Sequence, residues 1–293
     1  MTPAAVAQNL VFGLFVGSNY GVAAAGLSLV FGVLKVLNVA HGTLLMLGGY
    51  LSFWLFTLFG IDPFVSVLIT APILLLVGFG LHQGIFAFVE RFDEERKINT
   101  SLLISFGLGL VLQNLAQVVW SADERSITTG YAGARALVAG LVVVPYSRLA
   151  SFAVGCLAIL GLDQLLRRTD LGRAIRATAE DWRAAALAGI DIRRMYLITF
   201  GLGTGLAGVA GALVSTGYSI APSVGASWTL KSLIVIVLAG MGSIFGAFVA
   251  GLLLGVAEAL STYVLGDSYR EVVGLVLFLV VLMVRPQGLF RRA

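Results

Sequence analysis

The chain has 293 residues, 59% of them hydrophobic and only 12% charged, against about 25% charged in an ordinary soluble domain. Together with a mean hydropathy of +0.99, this excludes a soluble globular protein. The net charge of +4 comes from arginines gathered in loops, so it gives no reason to invoke nucleic acid, and the lone cysteine, Cys156, excludes an internal disulfide or a thiolate metal cluster.

Apolar runs recur along the whole chain, each long enough for a bilayer core of about 30 Å. They are continuous rather than alternating, which argues against a β-barrel. The fold class predicted is all-α: a polytopic transmembrane helical bundle with about eight to nine membrane segments in one domain, 1–293. In chain order the spans are placed at 8–33, 43–59, 64–89, 99–120, 149–166, 195–217, 229–240, 244–265 and 270–284. The opening "MTPAAVAQNL" has no basic residue before the first run, unlike a cleaved signal peptide. Residues 121–148 form the longest connection on their side, and "LVAGLVVVP" within it reads either as a dip toward the membrane or as a short strand. The 229–240 run is too short to cross alone. It ends at "GMGS", so it is a half-helix or merges with the next span.

Basic residues in short loops orient such a bundle. They cluster at Arg91, Arg96 and Lys97, at seven arginines between Arg167 and Arg194, and at Arg285, Arg291 and Arg292. All three clusters share the cytoplasmic side only if 229–240 counts as a crossing. That gives a multi-pass protein of the cell (inner) membrane with its N-terminus periplasmic and its C-terminus cytoplasmic.

Between two apolar runs lies a polar stretch, "AIRATAEDWRAAALAGI", Ala174 to Ile190, inside the loop 167–194. Thr169 or Asp170 is the expected N-cap and Gly189 the stop. Ile175, Ala179, Trp182 and Ala186 would form one weakly apolar face, held against the spans. Arg176, Glu180, Arg183 and Leu187 would form the outward one, with Arg176–Glu180 an i,i+4 pair. A linker on the lipid surface is one reading. The alanine-rich face lacks the bulky Leu and Phe of a membrane-surface helix, so docking into another protein is the other.

Ionisable residues inside spans mark function by default. Glu258 is the clearest, and Lys231 is placed to pair with it. Asp163 is explained by Arg167, and His82 is read as a helix-contact histidine rather than a proton relay. "NVAHG", Asn38 to Gly42, supplies donors and acceptors where a helix breaks. Ser18, Asn19 and Tyr20 interrupt the first run, and Gln113 and Asn114 the fourth. For these, interhelical hydrogen bonding competes with a place on a transport path. Gly240, Gly242 and Ser243 offer either a packing hinge or a backbone-lined passage.

"TDLGRAIRATAEDWRAAALAGIDIRRMYLITFGLGTGLAGVAGAL", "AGLSLVFGVLKVLNVAHGTLLMLGGYL" and "LIVIVLAGMGSIFGAFVAGLLLGVAEAL" resemble three blocks of the branched-chain amino acid ABC transporter permeases. They run in order over nearly the whole chain, and the length resembles the shorter, H-type subunit. The resemblance implies a non-catalytic subunit of a Leu/Ile/Val importer. It implies a second permease subunit, two ATP-binding subunits and a periplasmic substrate-binding protein. It assigns ATPase coupling to Ala179, Glu180, Asp181, Arg183, Ala185, Leu187 and Gly189, and raises the odds that "NVAHG" lies near the translocation path. The chain has no G-x-x-x-x-G-K-[ST] loop, so no cofactor is expected on it, and ATP and Mg belong to the partners. Urea and short-chain amide importers use closely similar permeases and form the alternative. A stand-alone ion-coupled transporter would need more intramembrane charge. An intramembrane enzyme lacks H-E-x-x-H and G-x-S-x-G.

Overall fold

The computed structural model describes residues 3–131, 133–138 and 142–290. Met1, Thr2, Arg291 and Arg292 lie outside the described residues. The order is α1 (Pro3–Leu34), α2 (His41–Phe59), α3 (Pro63–Leu81), a π-helical turn (His82–Phe86) running into α4 (Ala87–Val89), α5 (Glu94–Trp120), β1 (Arg135–Val138), β2 (Val142–Pro145), α6 (Tyr146–Arg168), α7 (Asp170–Glu180), α8 (Trp182–Leu187), α9 (Ile192–Val214), α10 (Val224–Ala239), α11 (Ile244–Leu265), a 3-10 turn (Asp267–Tyr269) and α12 (Arg270–Val284). Among the described residues, seven helices are long and apolar enough to cross a membrane. With the shorter α10 and α12 they make the expected all-helical bundle.

α1 and α9 form its centre. α1 packs along α11 and α9, and α9 also meets α2 and α3. Glycines let these backbones approach. A Cβ on Gly17 would stand 2.6 Å from the Gly251 carbonyl of α11, and one on Gly48 would stand 2.7 Å from Gly208 Cα of α9. Such small-residue contacts replace the hydrophobic driving force that helices lack in lipid. α5 sits outside, with Leu103, Phe106, Val111 and Val118 exposed.

The structure sharpens three sequence expectations. α10 starts at Val224, five residues before the apolar run, because "VGASW" continues the helix. It has 16 residues, about 24 Å at 1.5 Å per residue. Residues 215–240 lead from the end where Ile220 pairs with Arg125 to the end holding Gly242 and Arg176, so this segment counts as a crossing. The connection 121–148 contains an antiparallel β-hairpin, with Arg135 opposite Pro145 and Val138 opposite Val142. Of "LVAGLVVVP", residues 139–141 lie outside the described residues. The polar stretch is two helices, not one. It breaks at Asp181, whose φ of −149° is extended and whose carboxylate accepts the Arg183 and Ala184 amides at 2.8 and 3.1 Å.

Candidate functional site

The first group of candidate residues lies at the end of the bundle that carries the basic loops. Thr169 caps α7 by accepting the Gly172 amide at 3.0 Å. Gly189 ends α8 with a φ of +85°. Ile175 is buried, as the sequence suggests, but Trp182 is half exposed, because the break at Asp181 turns α8 away from the face set by α7. Ala185 is buried while Leu187 is 91% exposed, so Leu187 rather than Ala185 is available to a partner. The expected Arg176–Glu180 pair is not formed. Arg173 pairs with Asp170 instead.

Two clefts flank this segment. One, of about 730 Å³, is lined by Gly32, Lys35, Arg176, Glu180, Gly242 and Ser243 among others. The other, of about 720 Å³, is lined by Glu90, Lys97, Glu180, Asp181 and Arg183 among others. Ala179 and Glu180 border both. The Gly240–Ser243 turn thus shares a cleft with the polar helices. Gly240 and Gly242 have φ of +93° and +96°, values that only glycine adopts without strain. Ser243 caps α11 through the Gly246 amide at 3.1 Å. Residues 288–290 fold back here without any signal in the sequence: the Leu289 and Phe290 amides donate to the Leu238 and Ala239 carbonyls, both at 2.9 Å.

The second group lies inside the bundle. After α1 ends at Leu34, residues 35–40 run without helix back to the level of Ala23, whose carbonyl is 2.8 Å from His41 Nε2. Ala23 precedes Leu34 by 11 residues, about 16 Å along the helix, so α2 begins inside the bundle rather than level with the end of α1. Irregular backbone at that depth must be satisfied by protein. Ser101 and Ser105 of α5 accept the Leu37 and Val39 amides at 3.1 and 2.9 Å. Asn38 Oδ1 takes the Ala40 amide at 3.1 Å, and Thr229 Oγ1 takes the Gly42 amide at 3.0 Å. A Cβ on Gly42 would overlap the Gly225 carbonyl and Thr229. Asn38, His41 and Gly42 are therefore brought to one crossing with the start of α10. Thr229, Ser101 and Ser105 were missed, since single hydroxyls in apolar runs carry no visible pattern.

One turn away is a buried charge cluster. Glu258 is fully buried. It accepts from Lys231, from the Tyr20 hydroxyl at 2.9 Å and from Arg270 Nε at 3.1 Å. Arg270 Nη2 also reaches the Tyr20 oxygen at 3.2 Å. The Glu258–Lys231 pair follows from the sequence. Arg270 went unnoticed there, although a lone arginine opening the last apolar run was a signal.

Other candidates stand apart. Ser18 bonds the Phe15 carbonyl of its own helix, and Asn19 receives the Ser151 hydroxyl at 3.2 Å. Asn114 is exposed and bonds the Leu110 carbonyl, on an outer α5 surface beside Val111 and Leu115, and Gln113 precedes it on that helix. Neither is brought to the other sites. Asp163 pairs with Arg167 at 2.8 Å, and His82 meets Glu90 at 2.6 Å.

The family described as "Branched-chain amino acid transport system / permease component" matches residues 9–284. The high-affinity branched-chain amino acid transport system permease protein BraD of Pseudomonas aeruginosa is 36% identical, the alignment covering 97% of this chain and 95% of that protein. LivH of Escherichia coli, of the same description, is 32% identical over 97% of this chain and 95% of its own length. LivM of E. coli is 33% identical over 45% of this chain and 31% of its own length. With a match over nearly its whole length, on a bundle of membrane-crossing helices, the chain belongs to the family of permease components of branched-chain amino acid transport systems.

Proposed function

We propose that this chain is the membrane-spanning permease subunit of an ABC importer. It would carry leucine, isoleucine and valine from a periplasmic binding protein into the cytoplasm. The similarity to BraD and LivH over 97% of the chain is the observation that carries the reading. The partial likeness to LivM supports a second, related permease beside it. Two separate subunits would bind ATP and Mg, and this chain would neither bind them nor act as an enzyme. The basic end would face the cytoplasm and Pro3 the periplasm.

In this reading α7 and α8 take the push from the ATPase through Glu180, Asp181, Arg183, Leu187 and Gly189, with Ala179 in the cleft wall. Ala185 would act indirectly, holding α8 in place. The shared cleft supports a mechanical route: movement of α7 bears on the Gly240–Ser243 turn and so on α10 and α11. Asn38, His41 and Gly42 would shape the path where α2 starts, with Glu258 one turn away. The test is co-purification of the assembled importer. Replacing Glu180 and Gly189 by arginine should release the ATPase subunits while the two permeases stay together. An unchanged complex would overturn the coupling assignment. Uptake of leucine, isoleucine and valine, compared with urea, in a strain deleted for this chain decides the substrate.

A further inference from the structure

We infer that Lys231 and Arg270 form a carboxylate-binding subsite where α1, α10, α11 and α12 meet, one that takes the carboxylate of a translocating amino acid. The inference rests on the importer reading above and adds to it the chemical group recognised and the residues that recognise it.

Glu258 is fully buried and both its oxygens are occupied, Oε1 by Lys231 and Oε2 by Tyr20 and Arg270. Two cations therefore face one carboxylate. Asp267 and Glu271, which flank Arg270 in sequence, make no ion pair with either cation. An uncompensated charge at membrane depth is costly and is kept where an anion or a water-filled path meets it. The surplus is also reachable: the side chains of Lys231 and Arg270 are 13% and 31% exposed, while Glu258 is 0% exposed. An ammonium has three donors and a guanidinium five, more than Glu258 and Tyr20 consume.

Tyr20 lies three residues before Ala23, the anchor of His41. Trp228, next to Thr229, packs edge-on against Tyr20 with ring centroids 5.3 Å apart. The cluster thus sits near the level where the backbone of residues 35–40 leaves the helix inside the bundle, as binding segments of transporters do. The Glu258 oxygens and the Tyr20 hydroxyl are already engaged. The subsite therefore reads the carboxylate of an amino acid and leaves its ammonium to other groups.

The test uses the assembled importer, without its binding protein, in nanodiscs of phosphatidylcholine alone, so that no anionic headgroup competes. Thermal stabilisation is measured with L-leucine, with 4-methylpentanoate, which keeps the chain and the carboxylate, and with leucinamide, which keeps the chain and the ammonium. Leucine and 4-methylpentanoate should raise the midpoint and leucinamide should not. Lys231→Met should weaken the leucine response at least tenfold, and Arg270→Lys should largely keep it. Equal stabilisation by leucinamide, no effect of either carboxylate on the wild type, or an unchanged response in Lys231→Met would overturn the subsite. The comparison of ligands on the wild type decides the matter even if the variants fail to assemble. Leucine uptake by the complete importer is scored separately: uptake without a carboxylate response removes the subsite alone, and a carboxylate response without uptake removes the importer reading alone.

Discussion

The Gly42 amide donates to Thr229 Oγ1 at 3.0 Å, tying the first turn of α2 to α10 where the chain has no helix of its own to satisfy it. The same hydroxyl lies 2.9 Å from the Val39 carbonyl. Thr229→Val keeps the shape and strands a buried donor and acceptor, a loss of about 1–3 kcal/mol. Thr229→Ser should be nearly neutral. Thermal unfolding of the detergent-solubilised protein checks both, and a Thr229→Val protein as stable as the wild type would show that the break is held elsewhere.

Glu258 tests a different kind of bond. Removing one partner from a buried pair leaves an uncompensated charge and costs about 3–5 kcal/mol. Glu258→Ala should therefore be strongly destabilised, with Lys231 and Arg270 left facing each other. The double change Glu258→Ala with Lys231→Met should recover part of that loss. A double-mutant cycle on unfolding midpoints reads the coupling directly, and strict additivity would contradict the pairing.

The bundle and its polar insert are legible in the sequence because both rest on local signals. Apolar run length marks the spans, and Thr169 and Gly189 mark the ends of the polar segment. The break at Asp181 was less visible. An Asp between Glu180 and Trp182 reads as helix interior until its carboxylate is seen capping α8, and that capping is what exposes Trp182. The site was legible only in its charged half. Glu258 and Lys231 stand out against apolar neighbours, whereas Thr229, Ser101 and Ser105 matter through what they face, a relation between distant segments that periodicity cannot carry. The strap at Leu289 and Phe290 is pure backbone pairing and leaves no side-chain signature.

At the opposite end, the Tyr131 hydroxyl donates to Asp62 Oδ2 at 2.6 Å. Burial, and then the bond to Asp62, push Tyr131 from its ordinary 10.0 up to about 12. The neutral phenol is thus favoured in the folded chain. Its contribution is complete below pH 10 and is lost as pH climbs through about 12. Tyr131→Phe lacks this titration. The stability gap between wild type and variant should hold steady below pH 10 and close between pH 10 and 12, as measured by unfolding midpoints across that range. A gap independent of pH would remove the Asp62 bond as its source.

The α1–α11 seam is the part of the bundle least able to accept added atoms. A Cβ on Gly17 would lie 2.7 Å from Leu252 Cα as well as 2.6 Å from the Gly251 carbonyl, and both are backbone, so α11 itself must shift. Gly80, on α3, has nothing within 4 Å of the same position. Alanine there removes the flexibility cost of a helical glycine, worth about 0.5–1 kcal/mol. Gly17→Ala should therefore destabilise and Gly80→Ala should be neutral or mildly stabilising, although the two changes add the same methyl group to apolar helices. Because Gly17 lies one turn from Tyr20, a forced shift of α11 also draws Glu258 away from the Tyr20 hydroxyl. Gly17→Ala should then lose part of the coupling that the Glu258 cycle measures, and Gly80→Ala should leave it intact. Equal effects of the two alanines on stability and coupling would show that the seam is not close-packed.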